Sequence, residues 1–333
     1  MTPAELSSTV LRAVCRAVED DALPGPVPER VVVERPRPGG SGDYATNVAL
    51  RLAGPAGRPP REVAEILRTR LAGADRIERV EITGPGFLNF TLARDGGAEV
   101  VRTVLRAGTA YGHGDALAGT TVSFAPAYEP RARIWTDAVV ALLRSQGAEA
   151  GVVPGGTRPP HVVPIPAGAD PFARLGPDAA RWALLRPAAH DRPHTGPELL
   201  VQRESNPLFQ VRYAYARTRA LARNAAQLGI APASDTSLTA LSGQGVPALL
   251  AVLGDHPAVL EAAARLRAPD RLARHLEHTA EAFLRFQETG RPLPLGDEKP
   301  GAAHRSRIAL AEAAGAVLAG GLTLLGIDAP EHL

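Results

Sequence analysis

Hydrophobic and polar residues alternate over the first hundred positions with periods typical of both helices and strands. Apolar residues recur at near-helical spacing at the start of the chain and predict a helix over residues 3–20. A second helix is predicted after Pro59-Pro60, with an apolar stripe formed by Val63, Ile66, Leu67 and Leu71. Short apolar runs predict strands over residues 31–33, 77–82 and 87–92. This mixture predicts a small α+β domain of about a hundred residues.

Helical periodicity dominates the last third of the chain. Three helices are predicted to begin near Pro207, Leu249 and Pro269, and a polar loop is predicted over residues 234–245. A final long helix carries Leu310, Val317 and Leu324 at heptad spacing and is predicted to stop at Gly326. These helices predict a bundle with a continuous apolar core.

The helix that begins at Pro207 has two chemically different sides. Its apolar side is predicted to contain Ala214, Leu221, Ala225 and Leu228. The opposite side contains Arg212, Arg219 and Arg223, while Tyr213 and Arg217 share a flank. Arginine pairs with phosphate in a two-pronged geometry, and a tyrosine ring can stack on an unpaired base. The alternative is an ordinary bundle helix with a solvated charged face.

Composition restricts these predictions only in part. A chain of 333 residues with 45% hydrophobic residues can form two or three globular domains. Its net charge of +2 is too small to indicate nucleic-acid binding by itself. Cys15 is the only cysteine, so an intrachain disulfide is excluded and a reducing, cytoplasmic location is expected. The uncharged run over residues 313–327 is shorter than the roughly 20 residues of a membrane span, so we expect a buried bundle helix and no membrane partner.

The sequence of the arginine-rich helix resembles that of a known protein family. Asn206-Pro207 followed by Tyr213–Arg217 (YAYAR) is similar to the opening helix of the anticodon-binding domain of arginyl-tRNA synthetases, with Tyr215 in place of a histidine. The resemblance implies an all-α, DALR-type domain whose helix contacts the anticodon loop of a tRNA. The implied contact residues are Tyr213, Tyr215, Arg217, Arg212, Arg219 and Arg223.

Two patches near the start resemble the N-terminal additional domain of the same synthetases. They are Gly42–Asn47 (GDYATN) and Gly84–Phe90 (GPGFLNF), in the family's order. In that family the domain contacts the tRNA elbow, which implies Phe87 and Asn89 as contact residues here. The alternative from the residues alone is that Phe87 lies in the core and Asn89 is a strand-end amide.

The middle of the chain resembles the borders of a class I catalytic domain without its interior. Residues 137–147 are similar to the helix after the first signature, and residues 175–185 are similar to the end of the domain. Where the signature reads His-x-Gly-His, this chain has Pro126, Tyr128 and Glu129, which cannot donate the same hydrogen bonds to ATP phosphates. The aligned arginine remains as Arg131. Between residues 147 and 171 there is only a Pro/Gly-rich connector.

The second signature, Lys-Met-Ser-Lys-Ser, cannot occur in this sequence. Lys299 is the only lysine and Met1 the only methionine, so the phosphate-binding ammonium groups are missing. We therefore expect no catalysis and no cofactor. His275 and His278 lie three residues apart on a predicted helix, but no carboxylate or cysteine pattern accompanies them, so no metal site is expected.

Together these observations predict a multidomain, mostly α-helical protein. A small α+β N-terminal domain is predicted over residues 1–112, a shortened Rossmann-like remnant over residues 118–195, and an all-α anticodon-binding helical bundle over residues 200–333. The first functional hypothesis is a non-catalytic tRNA-binding protein, with arginine tRNA as the first candidate partner and no DNA partner.

Two other hypotheses stay open. In one, the chain has lost tRNA binding and associates with a full-length synthetase or another protein. Gln287 and Leu333 favour this hypothesis, since they stand where the family often has a tyrosine and usually a methionine. In the other, the chain is a residual arginine–tRNA ligase.

Overall fold

The computed structural model describes residues 3–36, 41–74, 76–92, 96–231 and 245–333. Except for Gly245, the predicted polar loop over residues 234–245 lies outside these ranges. The described residues form two compact units, Met1–Val100 and Val101–Leu333. The predicted middle and last domains therefore fall within one unit, and their separate boundaries stay predictions.

The first unit combines three helices with a small antiparallel sheet. The helices are α1 (Pro3–Glu19), α2 (Val48–Ala56) and α3 (Pro60–Leu71), and the strands are β1 (Tyr44–Thr46), β2 (Ile77–Thr83) and β3 (Phe87–Leu92). The sheet has the order β1-β3-β2. Leu6 and Val10 of α1 pack in one core with Val63 and Leu67 of α3, as the apolar stripes predicted.

One local prediction in this unit was wrong, and one helix was missed. Residues 31–33 do not form a strand, and only an isolated bridge joins Glu34 to Ala45. The backbone carbonyls there are satisfied by hydroxyl groups instead, because Ser7 donates to Val31 and Thr46 donates to Val32. Helix α2 was not predicted, since its sequence contains Gly54-Pro55, a pair typical of loops.

The second unit contains a short parallel sheet joined by a helix. After α4 (Gly96–Ala107), β4 (Thr121–Phe124) leads through α5 (Pro130–Ser145) to β5 (Glu149–Val152). The two strands pair in parallel from Thr121–Glu149 to Phe124–Val152. Helix α6 (Pro171–Leu185) follows the connector. This strand–helix–strand arrangement confirms the predicted Rossmann-like remnant.

Four long helices complete the second unit as a bundle. They are α7 (Pro207–Gln227), α8 (Val246–Arg265), α9 (Pro269–Gly290) and α10 (Ala302–Leu324). Glycines let α10 approach its neighbours closely. A Cβ atom on Gly315 would lie 2.5 Å from Thr218 Oγ1 of α7, and one on Gly321 would lie 2.5 Å from Leu276 Cδ2 of α9.

Helices α8 and α10 are long and apolar enough to cross a membrane by length and composition alone. In α10, 72% of the most apolar 18-residue stretch is buried inside the molecule. Leu310 and Val317 are fully buried and Leu324 is half-buried. Helix α10 is therefore the central core helix of the bundle, as the sequence predicted.

Candidate functional site

Asn206 fixes the beginning of α7. Its side-chain oxygen accepts hydrogen bonds from the backbone N–H groups of Leu208 at 3.1 Å and Phe209 at 3.4 Å. Its amide nitrogen donates to the carbonyl oxygens of Leu199 and Val201 at 2.7 and 3.0 Å. One buried amide therefore caps the helix and holds the segment before it, which fixes where the side chains of α7 point.

The apolar side of α7 faces the bundle largely as predicted. Ala214, Leu221 and Ala225 are buried. Leu228 is 53% exposed, so its predicted burial was wrong. The helix has ended at Gln227, and the chain turns through Gly229 at φ 69°.

An aromatic–arginine stripe, Phe209, Tyr213 and Arg217, runs along α7 at intervals of four residues. The rings of Phe209 and Tyr213 stack with centroids 5.7 Å apart and an interplanar angle of 21°, and Tyr213 is 39% exposed. In the amide orientation that satisfies both groups, the Gln287 oxygen of α9 accepts from Arg217 Nη2 at 2.6 Å and Nε at 3.2 Å. Within the described part of the chain Arg217 pairs with no carboxylate, so its charge is not neutralised locally.

The predicted arginine row, Arg212, Arg219 and Arg223, is paired with carboxylates of the same chain. Arg212 Nη2 lies 2.6 Å from Asp178 Oδ2. Glu331 lies 3.0 Å from Arg219 Nε through one oxygen and 3.6 Å from Arg223 Nη1 through the other. The structure thus brings these arginines together as predicted, but with their charges largely compensated.

Tyr215, where the resembled family has histidine, lies beside this row. Burial raises the pKa of the Tyr215 hydroxyl; Arg219 lowers it and Glu331 raises it by smaller amounts. The phenol is therefore neutral at physiological pH. It is half-buried, so it presents less stacking surface than Tyr213.

The three positions that were predicted to replace the ATP signature differ in exposure and contacts. Pro126 is exposed, and Tyr128 is 95% exposed. Glu129 caps α5, accepting from the backbone N–H of Ala132 at 2.6 Å and from that of Ile165 at 3.0 Å. The carboxylate is thus committed to backbone donors.

Arg131 is fully buried and serves the fold. Its guanidinium donates to five backbone carbonyl oxygens, those of Leu184, Val163, Asp191, Pro187 and Ala188, at 2.6–3.0 Å. All five N–H donors of an arginine are used in this way. No donor is left to bind a nucleotide.

The two predicted elbow residues differ in accessibility. The GDYATN and GPGFLNF patches pair as neighbouring strands, with Tyr44 opposite Phe90 and Ala45 opposite Asn89. Phe87 is 40% exposed at the start of β3, so a tRNA contact there stays a prediction. Asn89 is only 3% exposed and donates to Thr83 Oγ1 at 2.6 Å, which supports its alternative role as a strand amide.

Sequence reasoning missed several members of the α7 surface. Phe209 follows Pro207 by two residues and could have been found from its spacing of four to Tyr213. Asp178 and Glu331 are 34 and 112 residues from their arginine partners Arg212 and Arg219. No local pattern links such distant residues.

Comparisons with known proteins agree with this architecture. Residues 5–92 match the arginyl tRNA synthetase N terminal domain, and residues 211–333 match the DALR anticodon binding domain. An arginine–tRNA ligase of Frankia alni is 29% identical in an alignment over 552 residues that covers 100% of both chains. Since this chain has 333 residues, much of that relative has no counterpart here.

Two solved structures share the fold. The arginyl-tRNA synthetase of Thermus thermophilus superposes with a TM-score of 0.71 at 14% identity, covering 100% of both chains. That of Plasmodium falciparum gives a TM-score of 0.67 at 9% identity, covering 99% of each. The chain is thus similar in sequence to an arginine–tRNA ligase, matches the arginyl tRNA synthetase N terminal and DALR anticodon binding domains at its two ends, and shares the fold of arginyl-tRNA synthetases.

Proposed function

We propose that this protein binds tRNA without charging it, through its N-terminal and DALR domains, with arginine tRNA as the first candidate. The observation that carries the proposal is the aromatic–arginine stripe on α7. The Tyr213 ring is exposed and supported from one side by Phe209, so an unpaired base can stack on it. Among the described residues, Arg217 pairs with the neutral amide of Gln287 and with no carboxylate, so it retains its charge for a phosphate group.

The proposal that catalysis is lost is supported by the residues of the middle segment. The lysines of the second signature are missing, and Glu129 and Arg131 of the first are bound to backbone groups. Transfer of a nucleotidyl group requires several donors aimed at the phosphate oxygens. The connector between β5 and α6 is too short to contain the missing part of a nucleotide-binding sheet.

A binding titration tests the stripe directly. We expect the full chain to shift an arginine tRNA transcript more readily than a generic hairpin RNA of similar length. Removing the ring with Tyr213→Ala weakens tRNA binding by about tenfold, because base stacking contributes roughly 1–3 kcal/mol per base. Tyr128→Ala, which removes another exposed tyrosine, serves as the matched control and leaves binding unchanged.

Two results would contradict this part of the proposal. One is equal affinity of the wild-type chain for tRNA and the hairpin RNA. The other is equal binding by the Tyr213 and Tyr128 variants, which would mean that the exposed ring does not contact tRNA.

The second candidate function is association with another protein, such as a full-length synthetase. The carboxylate pairing of Arg212, Arg219 and Arg223 favours it, because paired arginines bind phosphate less strongly. Co-purification with a protein after nuclease treatment would support this function. Arginine-dependent ATP–pyrophosphate exchange above background would instead establish a ligase.

A further inference from the structure

Residues 328–333, called here the distal segment, lie along the outer side of α7. Gly326, at φ 70°, turns the chain at the end of α10, and Ile327 is 3% exposed. The Ile327 N–H donates to the carbonyl oxygen of Leu322 at 2.9 Å. The base of this distal segment is therefore fixed to the bundle.

The next residue, Asp328, adds polar contacts. Its N–H donates to Asp178 Oδ1 at 3.2 Å, and its carbonyl oxygen accepts from Arg212 Nε at 3.2 Å. From this point to Leu333 every residue of the segment is exposed or half-buried. The outer part thus has no buried apolar anchor.

Glu331 is the main contact of the outer part. Its carboxylate lies between Arg219 and Arg223, at 3.0 and 3.6 Å. The Arg223 Nη2 group also lies 3.5 Å from the Glu331 carbonyl oxygen and 3.4 Å from His332 Nδ1. Two guanidinium groups around one anion are the arrangement that also binds a phosphate.

We propose that Glu331 is an internal substitute for an RNA phosphate and that the distal segment is a displaceable latch over Arg219 and Arg223. This inference rests on the proposed tRNA binding and adds its regulation. RNA gains access to the two arginines only when the latch opens. The apparent affinity for RNA is then the intrinsic affinity multiplied by the open fraction.

The exposure of the contact keeps the latch reversible. The side chains of Glu331, Arg219 and Arg223 are 48%, 40% and 38% exposed. Ion pairs with this exposure are weak and are screened by salt. A polyanion with several phosphate groups can therefore displace the single carboxylate, whereas a buried pair would hold the segment permanently.

The test compares tRNA binding by the full chain with Glu331→Gln and with a matched control. Glu281→Gln removes the same charge from an exposed pair on α9, where Glu281 is 49% exposed and pairs with Arg285. We expect Glu331→Gln to bind tRNA about three- to tenfold more tightly at low salt, as expected for the loss of two exposed ion pairs. The gain shrinks at higher salt, and Glu281→Gln behaves as the wild-type chain.

A second measurement reports the latch without RNA. A fluorophore on Leu333→Cys, in a Cys15→Ser background, reports the local mobility of the distal segment by its anisotropy. Cys15 is the only native cysteine, so labelling is specific. Glu331→Gln lowers the anisotropy if the carboxylate holds the segment.

The outcomes separate the inference from the proposed function. If the wild-type chain binds tRNA and Glu331→Gln binds no more tightly, the latch is overturned and tRNA binding stands. If neither protein prefers tRNA to the hairpin RNA, the proposed function fails, and the latch with it. Unchanged anisotropy in Glu331→Gln overturns the latch independently.

Discussion

At the residue scale, Arg131, which the sequence resemblance places next to the predicted ATP signature, serves the fold. Its guanidinium joins α5 to the carbonyl oxygens of the end of α6 and the segment after it, residues 184–191, and to Val163 of the connector. The side chain also lies over the Trp135 ring, with Cζ 5.3 Å from the centroid. Its role is to satisfy carbonyl groups that no regular strand or helix pairs.

Arg131→Lys is expected to destabilise the second unit strongly. Lysine has three N–H donors and no planar fork, so buried carbonyl groups lose their partners at a cost of about 3 kcal/mol or more. Arg133→Lys, at an exposed position on the same helix, is the control. Trp135 and Trp182 are the only tryptophans and both lie in the second unit, so urea unfolding followed by tryptophan fluorescence reports this unit. Equal midpoints for the two variants would contradict the structural role.

The sequence predicted which residues stand at the signature positions, but not what those residues do. Pro126, Tyr128 and Glu129 were predicted to be unable to bind ATP phosphates, from their chemistry alone. The capping role of Glu129 could not be predicted in full, because one of its donors, Ile165, lies 36 residues away. The same limit applies to Arg131, whose acceptors are 32 to 60 residues distant.

At the element scale, α8 and α9 pack around two buried histidines. The rings of His256 and His275 stack with centroids 5.1 Å apart, and Tyr111 stacks on His256 at 5.8 Å. Burial and, to a smaller extent, the charge of His278 lower the pKa of His275 to about 3. Burial, then His275 and His113, hold the pKa of His256 well below its usual value. Both imidazoles are therefore neutral in the folded protein.

Stability of the second unit is expected to fall as the pH decreases below about 6.5. The pKa of His275 is lowered in the folded state, so its stabilising contribution is complete above the unfolded value and is lost as the pH falls toward 3. Between pH 6.5 and 5 this amounts to about 2 kcal/mol for one histidine. His275→Leu removes that part of the slope. Urea midpoints at both pH values test it, and parallel slopes for wild type and variant would contradict it.

Helical periodicity predicted α1, α3, α7, α8, α9 and α10 because each buries one apolar stripe along several turns. The prediction failed where side chains from elsewhere decide the structure. Residues 31–33 look like a strand, but the hydroxyl groups of Ser7 and Thr46 take their carbonyl oxygens. The close approach of α7 and α10 at Gly315 also depends on Thr218, which lies on another helix.

At the scale of the whole molecule, a short middle segment joins the two parts of the chain that match the arginyl tRNA synthetase N terminal domain and the DALR anticodon binding domain. Each domain alone is expected to bind weakly, and joining them raises the effective concentration of the second once the first is bound. The small net charge of +2 provides little non-specific attraction to RNA. The carboxylates paired with the arginines of α7 reduce that attraction locally. We therefore expect specific contacts to provide most of the affinity for tRNA.

The sequence resemblance identified both domains, because their characteristic motifs are short and continuous in the sequence. The state of the α7 surface could not be predicted in the same way. Glu331 and Asp178 reach the arginine row only after α6, α7 and α10 have packed together. The sequence predicted the arginine row but not the carboxylates that pair with it. It predicted Tyr213 and Arg217 as contact residues but not Phe209, which completes the aromatic–arginine stripe.

A hydroxyl-radical footprint of the full chain on an arginine tRNA transcript tests directly whether the protein binds both ends of a tRNA. We expect protection of the anticodon loop and of the elbow in one complex of one protein and one tRNA. We also expect Tyr213→Ala to remove the protection of the anticodon loop while that of the elbow remains. Protection of only one end of the tRNA would contradict binding at both ends. So would the absence of protection at protein concentrations at which a full-length synthetase protects the tRNA.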